Sequence, residues 1–323
     1  MNKDMNYFGI DISKAVFDVT DSKGNYHQFE NHHKGFATFV KLLDDSSHCV
    51  MEATGYYHYR LAYFLQESQI RVSVENPLSV KRFIQMKLSK IKTDKSDSKL
   101  ICEYAKQVDL KLWQGHSKHQ IECLQITRLL SVYTKQSTML KNKIHGEEVL
   151  GNPSLFVVRS LKRSLKSTKK EMKTLEEKLL KLVKELHQDL LTRLETIPGI
   201  GRKTAIMLIV LTDGFKRFTS ASELCSYSGL TPMIRQSGSS VKGRARISKI
   251  GNKKLRNLLF MCSFNACKYN KACRELYERI VAKGKSKKLA LIAVCNKLLK
   301  QAFAIAKSGL IYDETYRSTL VKN

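Results

Sequence analysis

Between residues 126 and 186 the apolar residues keep one rhythm. Ile126, Leu130, Tyr133, Ser137, Leu140 and Ile144 step alternately by four and three, and Leu161, Leu165, Thr168, Met172, Leu175, Leu179, Leu182 and Leu186 resume the pattern. A seven-residue repeat holds one seam on one side of an α-helix, a period no strand shares. Gly151-Asn152-Pro153 breaks it, as expected where one helix ends and the next begins. The pattern predicts two long helices joined by a turn, paired with each other or with a second chain. Their surplus of lysine suits a nucleic-acid surface, a dimer surface or a solvated outer face alike.

The segments on either side have other periods. Residues 6–30 hold three β-like runs, YFGIDIS, AVFDVTD and YHQFEN, separated at Ser13-Lys14 and at a hairpin turn, Lys23-Gly24-Asn25. A helical run over 34–43, a strand HCVME, a helix over 59–66, a strand IRVSVEN and helices over 77–86 and 94–105 come next, which makes an α/β sheet. From residue 190 the chain reads as mostly helical. The run from Thr196 to Ala205 has the form of helix, tight glycine turn, helix, as in a helix-hairpin-helix element. Gly199 and Gly201 let the backbone approach a phosphate, and Arg202 and Lys203 bring charge to the same place; an ordinary helix-helix turn has the same form. The stretch 236–246, with Lys242, Arg244 and Arg246, reads as a flexible cationic loop. The expected division is 1–115, 116–189 and 190–323.

Lys and Arg number 57 against 29 Asp and Glu in 323 residues, a formal charge of +28 that points to a polyanion, nucleic acid first. The longest apolar runs, such as AIMLIVL, fall far below the ~20 residues of a membrane span. No charged segment followed by an apolar one opens the chain, so a cytoplasmic protein with no membrane partner is expected. The eight cysteines lack CxxC pairs and read as reduced thiols, not as a zinc site.

Against this basic background four acids stand out. Asp11 lies inside the apolar run Phe8-Gly9-Ile10-Asp11-Ile12, where an uncompensated charge costs several kcal/mol. Glu52 ends the strand Cys49-Val50-Met51. Asp94 and Asp97, three apart at the start of a helix, project from one face, although acids in a first turn often only offset the helix dipole. Asp18 and Asp21 are weaker candidates, in a strand and a turn. Hard oxygen donors suit Mg²⁺, with Mn²⁺ possible, and such ions stabilise the attacking and leaving oxygens of a phosphodiester.

The motifs FGIDISK (8–14), VMEATG (50–55) and KTDKSDS (92–98) resemble the DEDD domain of the IS110 family of insertion-sequence transposases, relatives of the Piv DNA invertase. Further on, Ile197-Pro198-Gly199-Ile200-Gly201, the run Tyr227 to Pro232, Gln236-Ser237-Gly238 and Ile247 to Arg256 resemble the family's C-terminal part. The resemblance implies RuvC-like, ribonuclease-H-like type for the N-terminal α/β domain, which the residue pattern follows with a long helical coiled-coil middle and a mostly α-helical C-terminal domain. It also implies an acidic tetrad at Asp11, Glu52, Asp94 and Asp97 and a nucleophilic serine at Ser237, with Ser239 and Ser240 close by. DNA at the element's ends and at the target, a structured noncoding bridge RNA, and a homo-oligomer, dimer or tetramer, with composite sites are implied as partners, in a bacterial cytoplasm with nucleoid association when active. Phosphate contacts are expected from Gly199, Gly201, Arg202, Lys203, Arg235, Lys242, Arg244, Arg246, Lys249 and Arg256. Two other functions remain open on the residues alone: a junction-resolving endonuclease using the same carboxylates with water, and a catalytically silent nucleic-acid binder.

Overall fold

Alternation sets the faces of the sheet. In β1 (Asn6–Ile12), Phe8, Ile10 and Ile12 share a buried face with Phe17 and Val19 of β2 (Val16–Asp21). The intervening residues Tyr7, Gly9 and Asp11 therefore point to the other side. β3 (Tyr26–Glu30), α1 (His33–Val40), β4 (Ser47–Glu52), α2 (His58–Glu67), β5 (Arg71–Glu75), α3 (Pro77–Met86) and α4 (Asp94–Gln107) complete the first unit, Met1–His116. This computed structural model describes residues 5–53, 55–88, 93–233, 236–237, 241–242 and 246–315.

The sheet runs in the order β3-β2-β1-β4-β5. β1, β4 and β5 are parallel, and β2 is antiparallel to both its neighbours, so it alone runs against the rest. One face is closed by Phe36, Phe39, Leu61, Ala62 and Leu65 of the helices α1 and α2. The other is closed by α3 and α4, with Val80, Phe83, Ile101 and Tyr104 around Val50.

Gly9 lets α4 lie against β1. A side chain there would collide with the backbone of Ser98 and Cys102. Thr20 of β2 ties the same helix down through a buried 2.8 Å hydrogen bond to Ser98. Cys102 donates to the carbonyl of Tyr7 at 3.4 Å, near the start of β1. As α4 advances it thus passes back along β1, and its N-terminus lies toward the strand's C-terminal end.

The second unit, Ser117–Asn323, begins with α5 (Lys118–Val149) and α6 (Leu155–Glu195). The two pair within the chain as an antiparallel hairpin: Lys178 meets Glu122 at 3.3 Å, and Lys162 meets Glu148 at 3.2 Å. Ile126, Leu130, Ser137, Leu140 and Ile144 are buried on the heptad seam, as are Thr168, Leu179 and Leu182. Leu186 departs from it at 59% exposure. It lies a turn beyond the start of its partner helix, since His119 near the beginning of α5 already stands beside the Leu182 carbonyl at 2.8 Å, and the next residue, His187, leaves the helical region at φ −138° and ψ 29°.

The base of the hairpin merges into a core with α7 (Arg202–Thr212), α8 (Ala221–Tyr227), α9 (Lys253–Tyr269), α10 (Lys271–Ala282) and α11 (Lys287–Ser308). α11 is long and apolar enough to cross a bilayer by composition, but Ala290, Val294, Cys295, Leu298, Leu299, Ala302 and Ile305 are buried along it.

The described residues of the stretch expected as a loop, 236–237, 241–242 and 246, are instead paired. β6 (Pro232–Met233) runs antiparallel to β9 (Arg246–Ile247), and inside them β7 (Gln236–Ser237) runs antiparallel to β8 (Val241–Lys242). Two-residue strands of Gln, Ser, Val and Lys carry no periodic signal to read in advance.

Candidate active site

The acids gather where the parallel strands end. Asp11 and Asp18 are direct partners across β1 and β2, which puts both on the face covered by α4. β1 and β4 pair Gly9 with Val50 and Ile10 with Met51, so continuing the register sets Glu52 beside Asp11. Glu52 in turn pairs with Glu75 of β5. Asp18, Asp11, Glu52 and Glu75 thus form one row across four adjacent strands, spaced about 4.8 Å from strand to strand.

α4 brings Asp94 and Asp97 to this row. Thr93 accepts from the Ser96 backbone N–H at 3.1 Å, and Ser96 Oγ accepts from the Thr93 N–H at 2.8 Å. This reciprocal cap starts the helix at Asp94 and puts both acids in its first turn. The free N–H groups and dipole there favour negative charge.

The electrostatics centre on Asp11. Its carboxyl is pushed up to about 6, first by burial and then by repulsion from Asp97, Asp94, Asp18 and Glu52, in that order. Among the described residues no Lys or Arg forms an ion pair with it. Asp18 is buried, and one of its oxygens accepts from the Tyr26 hydroxyl and from Gln28 Nε2 at 3.0 Å. The bond to that carboxylate pushes the Tyr26 phenol up to about 12. Glu75 accepts from the Tyr104 hydroxyl at 3.0 Å.

In kind, these donors fit a hard divalent cation: anionic oxygens on one face, with Asp11 carrying an uncompensated charge. In spacing they do not close on one point. Among the described residues no three His, Cys, Asp or Glu side chains stand close enough to hold a single ion. The sheet and α4 therefore bring the four expected acids to one edge without bringing them to ligation distance.

Glu75 was missed as a member of this row, and Asp18 was read only as a weaker candidate. The signal for Asp18 was present, because a tight turn over Ser13–Ala15 fixes the hairpin register and sets residue 18 opposite residue 11.

The basic candidates are scattered through the second unit. Arg202 is paired with Glu195 at 2.8 Å and Lys203 with Glu176 at 2.6 Å, so both charges of the glycine turn are met within the chain. Gly199, at φ +103°, has no room for a side chain against Ala266 of α9; Gly201 caps α7 facing open space. Gly199 is thus required for helix packing. Arg256 donates to the Ser228 carbonyl at 2.8 Å. Arg246 is exposed on β9, and Lys249 is exposed with a positive φ of 57°. Ser237 and Lys242 are placed by their backbone, in β7 and β8. Arg235, Arg244, Ser239 and Ser240 lie outside the described residues.

Two family models cover most of this architecture. Residues 8–150, which contain the whole acidic row, match the DEDD transposase domain of IS110 elements, and residues 191–278 match the transposase IS116/IS110/IS902 family. The pilin gene-inverting protein of Moraxella lacunata is 31% identical over 95% of this chain and 98% of its own length. The chain belongs to the IS110 family of transposases. It is by that membership an enzyme of DNA recombination, and a DEDD domain points to divalent-metal dependence. The transposase of the insertion sequence IS1111A from Coxiella burnetii is 25% identical over 98% of this chain and 92% of its own. A protein of the IS110 element from Streptomyces coelicolor is 32% identical over 49% of this chain.

Proposed function

We propose that this IS110-family transposase cuts and rejoins DNA with Ser237 as nucleophile and an acidic tetrad of Asp11, Glu52, Asp94 and Asp97. The observation that carries the metal half is Asp11, half-buried in the sheet, repelled by four neighbouring carboxylates and facing the N-terminus of α4. The order β3-β2-β1-β4-β5, with β2 alone reversed, supports a RuvC-like, ribonuclease-H-like fold for this unit. A divalent cation, Mg²⁺ or Mn²⁺, would supply charge compensation for the pentacovalent phosphate and lower the pKa of a nearby hydroxyl. Asp11 and Glu52 would hold it from the sheet, and Asp94 and Asp97 from the helix.

The serine half rests on the Gln236-Ser237-Gly238 motif. Ser237 Oγ attacks phosphorus as the strand's own P–O bond breaks, and the displaced hydroxyl takes a proton. The phosphoserine ester keeps the phosphodiester linkage energy, so religation reverses the step without ATP. Arg235, Arg244 and Arg246 are positioned in sequence to hold phosphate oxygens. A division into catalytic domain (1–115), helical hairpin (116–189) and C-terminal domain (190–323), a structured bridge RNA and an oligomer with composite sites complete the reading.

Covalent trapping tests it. The protein, incubated with element DNA and Mg²⁺ and then denatured, carries a strand in wild type and none in Ser237→Ala. Cleavage with free 5′ phosphates and no adduct rejects the serine and leaves water as the nucleophile of a junction-resolving nuclease.

A further inference from the structure

The charge of the second unit is unevenly placed along α6. Over residues 155–170 the helix carries Arg159, Lys162, Arg163, Lys166, Lys169 and Lys170 and no Asp or Glu, whereas acids are frequent from Glu171 onward. All six cations are exposed. Lys162 meets Glu148 at 3.2 Å, and among the described residues no carboxylate pairs with Arg159, Arg163 or Lys166. This differs from the glycine turn, where Arg202 and Lys203 are both neutralised.

One aromatic ring stands in the same patch. Phe156 is 78% exposed, one turn before Arg159. Phe156, Arg159, Arg163 and Lys166 succeed one another by three, four and three, so they form one stripe about 15 Å long. With Lys162 they line a depression of about 510 Å³ on the helix surface. The heptad seam that packs α6 against α5 runs along other positions, Val158, Leu161, Leu165 and Thr168. The stripe is thus unused by the fold.

We infer that this face of α6 binds an unpaired strand of nucleic acid, with a base stacked on Phe156 and phosphates on Arg159, Arg163 and Lys166. An aromatic ring flanked by cations is how single strands are held: stacking is indifferent to sequence, and the cations track the backbone. A duplex keeps its base faces covered and leaves the Phe156 ring in water. A second copy docking face to face sets cations against cations, which like-charge repulsion opposes. The inference rests on the reading of the chain as a nucleic-acid recombinase, but it involves neither the acidic row nor Ser237.

Fluorescence anisotropy of full-length protein on an unstructured 20-mer, as RNA and as DNA, and on a duplex of equal length tests it across a salt series. Phe156→Ala lowers single-strand affinity about tenfold or more and leaves duplex affinity unchanged, and Phe156→Trp retains binding. Replacing Arg159, Arg163 and Lys166 together by Gln reduces the slope of log K against log salt by about 2 on the single strand. A loss on both RNA and DNA, or on one of them, supports the surface and reports which sugar it takes. Unchanged single-strand affinity in Phe156→Ala, or an equal loss on duplex, overturns it. So does a change of sedimentation behaviour in Phe156→Ala with affinity intact, which makes the face an interface between copies. Wild-type protein that retains no nucleic acid at all overturns the recombinase reading as well.

Discussion

Replacing Asp11 by Asn should make the first unit more stable while removing its function. The carboxyl of Asp11 stands at about 6 in the folded chain against 3.8 when unperturbed. Between those values the folded state holds a proton that the unfolded state has released, so stability falls as pH rises through the window. At neutral pH the full penalty is present. Two pH units at ~1.4 kcal/mol each give about 3 kcal/mol, and screening at a half-buried site reduces this to about 1–2 kcal/mol. Asn has nearly the same shape and no charge, so the variant should gain that amount at pH 7 and almost nothing near pH 4. The chain's single tryptophan, Trp113, reports this unit: it hydrogen-bonds Val72 at 2.8 Å and packs edge-on to Tyr63 at 4.9 Å. Urea unfolding followed by its fluorescence gives the midpoint at each pH. A gain of the same size at pH 4 and pH 7, or none at pH 7, refutes the repulsion argument. Mg²⁺ at pH 7 should raise the wild-type midpoint and leave that of Asp11→Asn in place.

Three other substitutions probe the same physics. Gly9→Ala pushes a methyl into the backbone of Ser98 and Cys102 and should cost about 1–3 kcal/mol in the Trp113 transition, while lowering metal-dependent cleavage by displacing Asp94 and Asp97. Asp18→Asn keeps an oxygen for Tyr26 and Gln28 but removes one repelling charge, so the acid limb of the pH–cleavage profile should move down by up to about one unit. In the second unit Lys254 donates to Thr127 O at 2.9 Å and to Ser131 Oγ, and burial lowers its ammonium from 10.5 to about 8. The unfolded chain keeps that proton longer, so stability rises with pH between those values; Lys254→Met should gain about 1–2 kcal/mol at pH 7, fading toward pH 10 in far-ultraviolet circular dichroism.

Much of the first unit could be read in advance because each element there is short and strongly patterned. The alternation in FGIDI gives the strand, its buried face and the anomaly at Asp11 together. The helices were legible for the same reason, and the start of α4 at Asp94 was read as observed. The features that stayed hidden depend on partners distant in sequence. Asp18 stood no higher than Asp21 until the register set it opposite Asp11, and Glu75 looked ordinary until β5 set it beside Glu52. Arg202 and Lys203 looked like free phosphate ligands because no local pattern points to Glu176, 27 residues earlier. The heptad predicted both long helices but not the departure from helical geometry at His187, which carries no helix-breaking signature. The small strands around Ser237 were too brief to have a period.

The cap at Thr93 has a consequence for how this enzyme tolerates change. An α-helix has no intrinsic origin, and every added residue rotates the rest of the helix by about 100° and advances it by about 1.5 Å. Thr93 and Ser96 supply the origin for α4. Residues inserted before Thr93 lengthen the approach and leave the angular phase of Asp94 and Asp97 untouched. A single residue inserted between Ser96 and Asp97 turns Asp97, with Ser98 behind it, away from Asp11 and Thr20. The four residues from Thr93 to Ser96 thus act as the phase reference for Asp94 and Asp97, half of the four acids that the sequence singles out.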